Sequence, residues 1–205
     1  MITIIDYGAG NILSVEKALR HLGEEVCLSG DPAGIRDAEK LILPGVGSFG
    51  AAMQRLREQN LERAIHEAVE SGVPLLGICL GLQLLFDESE ESPGEKGLGL
   101  IPGRVLRIPD APGIKIPHMG WNSLHLQNDG RLFRDVEEGA FVYFVHSYYV
   151  QAKDPLCVKA TAEYGVKIHA SVEKENVFGA QFHPEKSSGT GLAILRTFAS
   201  LGRRN

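Results

Sequence analysis

Cys79 stands between two glycines in Gly77-Ile78-Cys79-Leu80-Gly81, and far downstream an imidazole and a carboxylate come close together in Phe182-His183-Pro184-Glu185. A thiol flanked this way has the form of a nucleophile elbow, with cysteine in place of serine. The glycines permit a sharp turn that a Cβ would crowd, and a helix starting at the sulfur favours the thiolate electrostatically. His183 suits a general base that later returns its proton as an acid, and Glu185 suits the group that holds its tautomer. Taken singly, each motif has a plainer reading: an inert cysteine packed beside glycines, or a surface turn. Their coincidence favours a cysteine amidohydrolase.

A third segment belongs with these two. Pro44-Gly45-Val46-Gly47-Ser48-Phe49-Gly50 directly follows the apolar run Leu41-Ile42-Leu43, which brings the amides of Val46 and Gly47 to the sheet edge where Cys79 is expected. With the Leu80 amide they form a candidate oxyanion hole, and one such donor is typically worth about 100- to 1,000-fold in turnover. A phosphate loop is disfavoured because the spacing and the Gly-Lys-Ser/Thr of that motif are missing. Zinc is disfavoured because no paired Cys-x-x-Cys or His-Glu-x-x-His is present, so no metal and no cofactor are expected. The remaining histidines, His118 and His146 among them, read as surface, loop or satisfied core residues.

The elements needed to position these groups are legible as alternating strands and helices. Ile2 to Ile5 is a β-branched run, and Ile12, Val15, Leu19 and Leu22 then recur at helical spacing before Gly23. Strands are expected near Glu25 to Leu28, at Lys40 to Leu43 and at Val73 to Ile78, with helices over Phe49 to Leu56 and Leu61 to Val69. A helix from Leu80 to Phe86 follows with almost no loop, placing Cys79 at the joint. Asp87 to Gly103 and Pro109 to Gly120 are Pro/Gly-rich and predict loops. The second half predicts strands near Gly139 to Val145, Cys157 to Tyr164, Lys167 to Val172 and Val177 to Phe182, then a last helix from Thr190 to Leu201. This alternation implies an α/β fold with a mainly parallel central sheet flanked by helices. No linker divides the 205 residues, so one domain over 1–205 is expected.

Composition sets the outer bounds. Lys plus Arg number 21 against 26 Asp plus Glu, and the resulting charge of -5 argues against nucleic acid as the main partner. Arg203 and Arg204 form only a short cationic end. Three widely spaced cysteines, Cys27, Cys79 and Cys157, predict free thiols in a reducing cytoplasm. The first residues lack a basic n-region, and the apolar stretch from Val73 to Phe86 is too short to span a bilayer.

Together the elbow with Gln83 four positions beyond Cys79, the Gly-rich segment and the late His-Pro-Glu resemble the class I glutamine amidotransferases, whose fold is flavodoxin-like, over nearly the whole chain. Within that family, five segments look like those of the glutaminase subunits of imidazole glycerol phosphate synthases. They are Tyr7-Gly8-Ala9-Gly10-Asn11, Pro44 to Phe49, Pro117-His118-Met119-Gly120-Trp121-Asn122, Tyr143-Phe144-Val145-His146-Ser147-Tyr148 and Gln181 to Ser187. The resemblance implies hydrolysis of glutamine to glutamate and ammonia, with Gln83, Glu91, Ser147 and Tyr148 binding the substrate. It implies a cyclase subunit as heterodimer partner, which uses the ammonia to form imidazole glycerol phosphate and aminoimidazole carboxamide ribotide in histidine biosynthesis. Asn11, Trp121 and Lys186 are the implied partner contacts. Two rivals stay open: a glutaminase serving another acceptor, such as pyridoxal phosphate synthase, and a non-hydrolytic thiol protein on a similar fold.

Overall fold

A computed structural model describes residues 1–8, 10–127 and 129–202; Ala9 of the first loop motif and the Arg203–Arg204 end lie outside the described residues. The first half follows the expected alternation with one unforeseen short helix, α2: β1 (Ile2–Ile5), α1 (Ile12–His21), β2 (Val26–Ser29), α2 (Pro32–Arg36), β3 (Leu41–Leu43), α3 (Phe49–Glu58), α4 (Leu61–Glu70), β4 (Leu75–Ile78) and α5 (Leu80–Leu84). The second half is mostly strand: β5 (Glu88–Ser89), β6 (Gly103–Arg107), β7 (His118–Ser123), β8 (His125–Leu126), β9 (Phe141–His146), β10 (Tyr148–Ala152), β11 (Val158–Glu163), β12 (Lys167–Lys174) and β13 (Val177–Ala180), closed by α6 (Ser188–Ser200).

The main sheet has the order β2-β1-β3-β4-β13-β12-β11-β8. Pairing is parallel from β2 through β13 and antiparallel from β13 to β8. The catalytic candidates therefore sit where the chain returns from the second half to place β13 beside β4. Crevices outside the carboxyl ends of parallel strands are the usual place for sites in such sheets.

The two-residue strand period sorts the core onto two faces. Leu41, Leu43 and Leu75 pack with the apolar sides of α3 and α4, whereas Ile42, Leu76 and Ile78 pack with α1 and α6. Each fully buried Leu or Ile contributes about 1.5–3 kcal/mol, so strands buried on both faces hold the elbow rigidly.

Three expectations need correction. Asp87 to Gly103 is not all loop, because Glu88 and Ser89 form β5 beside Arg104 and Val105 of β6. The helix after Cys79 stops at Leu84, not Phe86, because the carbonyls of Leu84, Leu85 and Phe86 accept from Leu98, Ile101 and Gly99 of the following loop. The segment up to Gly120 is not all loop: His118, Met119 and Gly120 belong to β7, paired with His146, Val145 and Phe144 of β9. Gly120 meets the strand with φ of 139°, a backbone state open to glycine and poor for other residues. A breaker signal in the sequence thus falls inside a paired strand.

Candidate active site

The turn at Cys79 is strained as an elbow requires. Cys79 has φ 55° and ψ -109°, outside the regions an L-residue prefers, and it caps the N-terminus of α5 directly after β4. Its neighbours explain the glycines. A Cβ on Gly77 would stand 2.6 Å from the Gly81 carbonyl oxygen, and one on Gly81 would collide with the Leu43 carbonyl. Leu80 is the first residue of α5, so its N–H has no intrahelical acceptor and is free for an incoming anion.

His183 lies just past β13, and its backbone is pinned across to β9. Its N–H donates to the Tyr143 carbonyl at 2.9 Å, while Ser187 Oγ donates to the His183 carbonyl at 2.7 Å and accepts from Tyr143 N–H at 2.9 Å. The ring pairs through Nδ1 with Glu185 Oε1 at 2.8 Å, and both side chains are almost wholly buried, 3% and 1% exposed. Burial disfavours a charged ring, but the adjacent Cys79 side chain and the Glu185 carboxylate outweigh it and raise the His183 pKa to about 9. The other ring nitrogen, Nε2, has no hydrogen-bond partner of good geometry among the described residues, although Cys79 is near enough to act on the ring's charge. Long catalytic contacts of this kind are common before substrate arrives.

Around Cys79 and His183 opens a cavity of about 340 Å³ lined also by Val46, Gly47, Leu80, Gln83, Glu91, Ser147, Tyr148 and Lys186. All the expected catalytic, oxyanion and substrate residues therefore meet in one place, except Glu185, which stands behind the His183 ring. Of the expected partner contacts, Lys186 lines this cavity, whereas Asn11 and Trp121 do not. Trp121 is 51% exposed on β7, and Asn11 sits at the head of α1 with its Oδ1 accepting from Ser14 Oγ at 2.8 Å. A wider surface groove of about 1020 Å³ near Asp87, Arg104 and His169 contains none of these groups.

Hydrogen-bond bookkeeping gives the cavity a polarity. Gln83 Nε2 donates to the Tyr148 carbonyl at 2.9 Å and to Gln181 Oε1 at 3.3 Å, so both amide hydrogens are used and Oε1 is left to accept from a ligand. Gln181 Nε2 in turn points at the Cys79 sulfur, 3.9 Å away. Glu91 Oε2 accepts from the Phe49 N–H at 2.7 Å, which caps α3, whose N-cap Ser48 makes no side-chain bond. Glu91 thereby ties the cavity wall to the helix that follows the Val46–Gly47 loop.

Sequence reasoning missed His146 and Gln181. His146 lines the cavity and is buried, with Nδ1 donating to the Tyr148 carbonyl at 2.8 Å and Nε2 facing His118 Nδ1 at 3.0 Å. Burial lowers His146 to about 3 against the opposing Tyr148 bond, and lowers His118 to about 4, so both rings are neutral at physiological pH. A signal was available: Val142, Phe144 and His146 alternate inward along one strand. Gln181, which is fully buried, had none beyond its place beside Phe182.

Comparison with known proteins gives the same picture over the full length. Residues 3–200 match the family model described as glutamine amidotransferase class-I. Proteins named imidazole glycerol phosphate synthase subunit HisH are similar from end to end: that of Moorella thermoacetica is 52% identical, covering 98% of this chain and 95% of that one. The one from Bacillus subtilis is 49% identical over 98% and 96%, and the one from Methanothermobacter thermautotrophicus 48% over 99% and 100%. Among solved structures, a glutamine amidotransferase superposes with a TM-score of 0.76 at 22% identity, covering 98% of this chain and 100% of that one. PurLQS from Thermotoga maritima superposes with a TM-score of 0.74 at 24% identity, covering 96% of each. These last two speak for the fold. With its elbow, its cavity and a family match spanning residues 3–200, this chain belongs to the class I glutamine amidotransferases.

Proposed function

We propose that this chain is the glutaminase subunit of an imidazole glycerol phosphate synthase, acting in the cytoplasm beside a cyclase subunit that consumes its ammonia. The observation that carries the chemistry is the single cavity holding the Cys79 sulfur, the His183 ring and the free Gln83 oxygen. The acceptor and the partner are supported by full-length relatives near 50% identity that bear that subunit's name.

The geometry supports a thioester route. Glutamine enters with its side-chain amide over Cys79 and donates to Gln83 Oε1, while Ser147 and Tyr148 border the rest of the ligand. The sulfur attacks the amide carbon, and the developing oxyanion is met by the Leu80 N–H and by an amide of the Val46–Gly47 loop. With a pKa near 9, His183 already carries the proton that the departing nitrogen needs, so ammonia leaves and a thioester remains on Cys79. Water then attacks the thioester with His183 accepting its proton, releasing glutamate and the thiolate. Glu185 compensates the ring charge throughout.

Ammonia released to water is protonated and stops being a nucleophile, so a docked cyclase should gate the site. Gly47, at φ 100° and with open space around it, allows the neighbouring peptide to turn the Val46 amide toward the oxyanion. Measuring glutamate release with and without the cyclase and its ribotide ligand tests the reading. Cys79→Ser should lower release by more than about 1,000-fold while the complex still makes product from supplied ammonia. Release near the wild-type rate in that variant would reject the assignment.

A further inference from the structure

β7 alternates strictly. Met119 and Trp121 face outward, 66% and 51% exposed, whereas His118, between them and the core, is buried. Outward apolar side chains of this size on a short two-stranded sheet suit an interface, which is the role the family resemblance implies for Trp121. From the inner positions of the same strand a line of hydrogen bonds runs into the active site. Asn122 Nδ2 reaches His118 Nε2 at 3.4 Å, His118 Nδ1 reaches His146 Nε2 at 3.0 Å, and His146 Nδ1 reaches the Tyr148 carbonyl at 2.8 Å. That carbonyl also receives Gln83 Nε2, and Gln83 leads through Gln181 to the Cys79 sulfur.

The donor direction of this line is fixed from its ends. An amide nitrogen can only donate to His118 Nε2, and a carbonyl can only accept from His146 Nδ1, so each neutral ring carries its proton on Nδ1. Every link then donates toward the cavity. The last of them sets the Tyr148 carbonyl, which holds Gln83 with its oxygen toward the ligand.

We infer that Asn122, His118 and His146 are positioning residues that couple the outward face of β7 to the glutamine pocket, so that a partner seated on Met119 and Trp121 sets the Tyr148 carbonyl and Gln83. This rests on the reading of the chain as a partner-gated glutaminase. His118 touches no substrate. Its ring is stacked between Phe144, with centroids 4.7 Å apart, and Tyr164, at 3.9 Å, so the rival role is that of a space-filling aromatic. The two roles make opposite demands on a replacement.

His118→Phe keeps the stack and removes the donor to His146, whereas His118→Asn keeps a donor near the Nδ1 position and loses the stack. Glutamate release is measured for each variant alone and with saturating cyclase and ribotide, together with cyclase binding. Positioning predicts that the Phe variant loses about tenfold of the stimulation, within the usual range of coupling between sites, with basal rate and binding kept. The Asn variant stays within about threefold of wild type. Asn122→Leu, which removes the donor to His118 together with the Asn122 bonds to the Glu163 carbonyl at 3.0 Å and from the Ser123 N–H at 2.8 Å, should lower the stimulation by about threefold with cyclase binding kept. Full stimulation in the Phe variant, a loss in Asn as deep as in Phe, or no change in Asn122→Leu overturns the relay. If the wild type itself shows no stimulation, the gating reading has failed, and the relay falls with it.

Discussion

His183 and the His118–His146 pair are buried to the same depth, yet their environments drive them in opposite directions. At His183 a carboxylate lies 2.8 Å from the ring and the Cys79 sulfur also acts on its charge, and the charged ring is favoured up to about pH 9. Among the described residues His146 is bonded to a carbonyl and a neutral ring, and it stays uncharged down to about pH 3. Burial acts the same way on all three. A formal negative charge about 4 Å away is worth about 4 kcal/mol at an effective dielectric of 20, and a closer one more, enough to overcome desolvation, whereas a carbonyl dipole is not. The charge of the neighbour, and not depth, divides a ring that moves protons from rings that hold a direction.

Removing the proton-moving ring should break the contrast most. His183→Asn leaves nothing to protonate the departing nitrogen, and general acid–base groups typically contribute about 100- to 10,000-fold, so glutamate release should fall toward the upper end of that range. Glu185→Gln keeps a hydrogen-bond acceptor for Nδ1 but not the charge, and a loss near the lower end is expected. Rates for the two variants in the cyclase complex check the order. A Glu185→Gln enzyme worse than Cys79→Ser would mean that the carboxylate does more than support the ring.

The same contrast can be sharpened without kinetics. In Cys79→Ser the thiolate no longer stabilises the imidazolium, and in Glu185→Gln the carboxylate no longer does, so the His183 pKa should drop below about 9 in each. In the double variant only burial is left, and the ring should titrate below its ordinary value of 6.5, as His118 and His146 do. Ring proton shifts followed by NMR across pH 5 to 10 report this directly. An unchanged His183 midpoint in both single variants would contradict the cause assigned to it.

How far each region could be read from sequence follows the same division. The elbow was legible because its demands are local: glycines where a Cβ would strike Gly81 or Leu43, and a helix beginning at the sulfur. His183 and Glu185 were legible because they follow a strand whose apolar run is plain, whereas the role of Gln83 came from the family resemblance. His183 and Gln83 line the Cys79 cavity, and Glu185 backs the His183 ring. The His118–His146 pair depends on β7 finding β9 across 28 residues, and the prolines and glycines before β7 read as loop. Its bonds were invisible until the register was known. The early end of α5 was hidden for a similar reason, since the loop that takes its last carbonyls is irregular and carries no period.

The smallest effect expected is on stability in mild acid. His118 titrates at about 4 when folded and 6.5 in a free chain, so between those values the unfolded state takes up a proton that the folded state refuses. The stability attached to the neutral ring is therefore present above pH 6.5 and drains away as pH falls toward 4. His183 behaves the other way. Its folded value is raised, so its contribution is complete below 6.5 and disappears only as pH rises through about 9, leaving the acid window to the neutral pair. Replacing His118 by Asn removes one titrating ring while keeping a donor to His146. At 1.36 kcal/mol per pKa unit, the stability of wild type relative to His118→Asn should fall by about 1.5 kcal/mol between pH 6.5 and pH 5. Stopping at pH 5 keeps most carboxylates out of the measurement. Urea unfolding of both proteins at the two pH values gives the difference, and a gap that stays constant with pH would show that the folded protein accepts a proton on His118 as readily as the unfolded chain does.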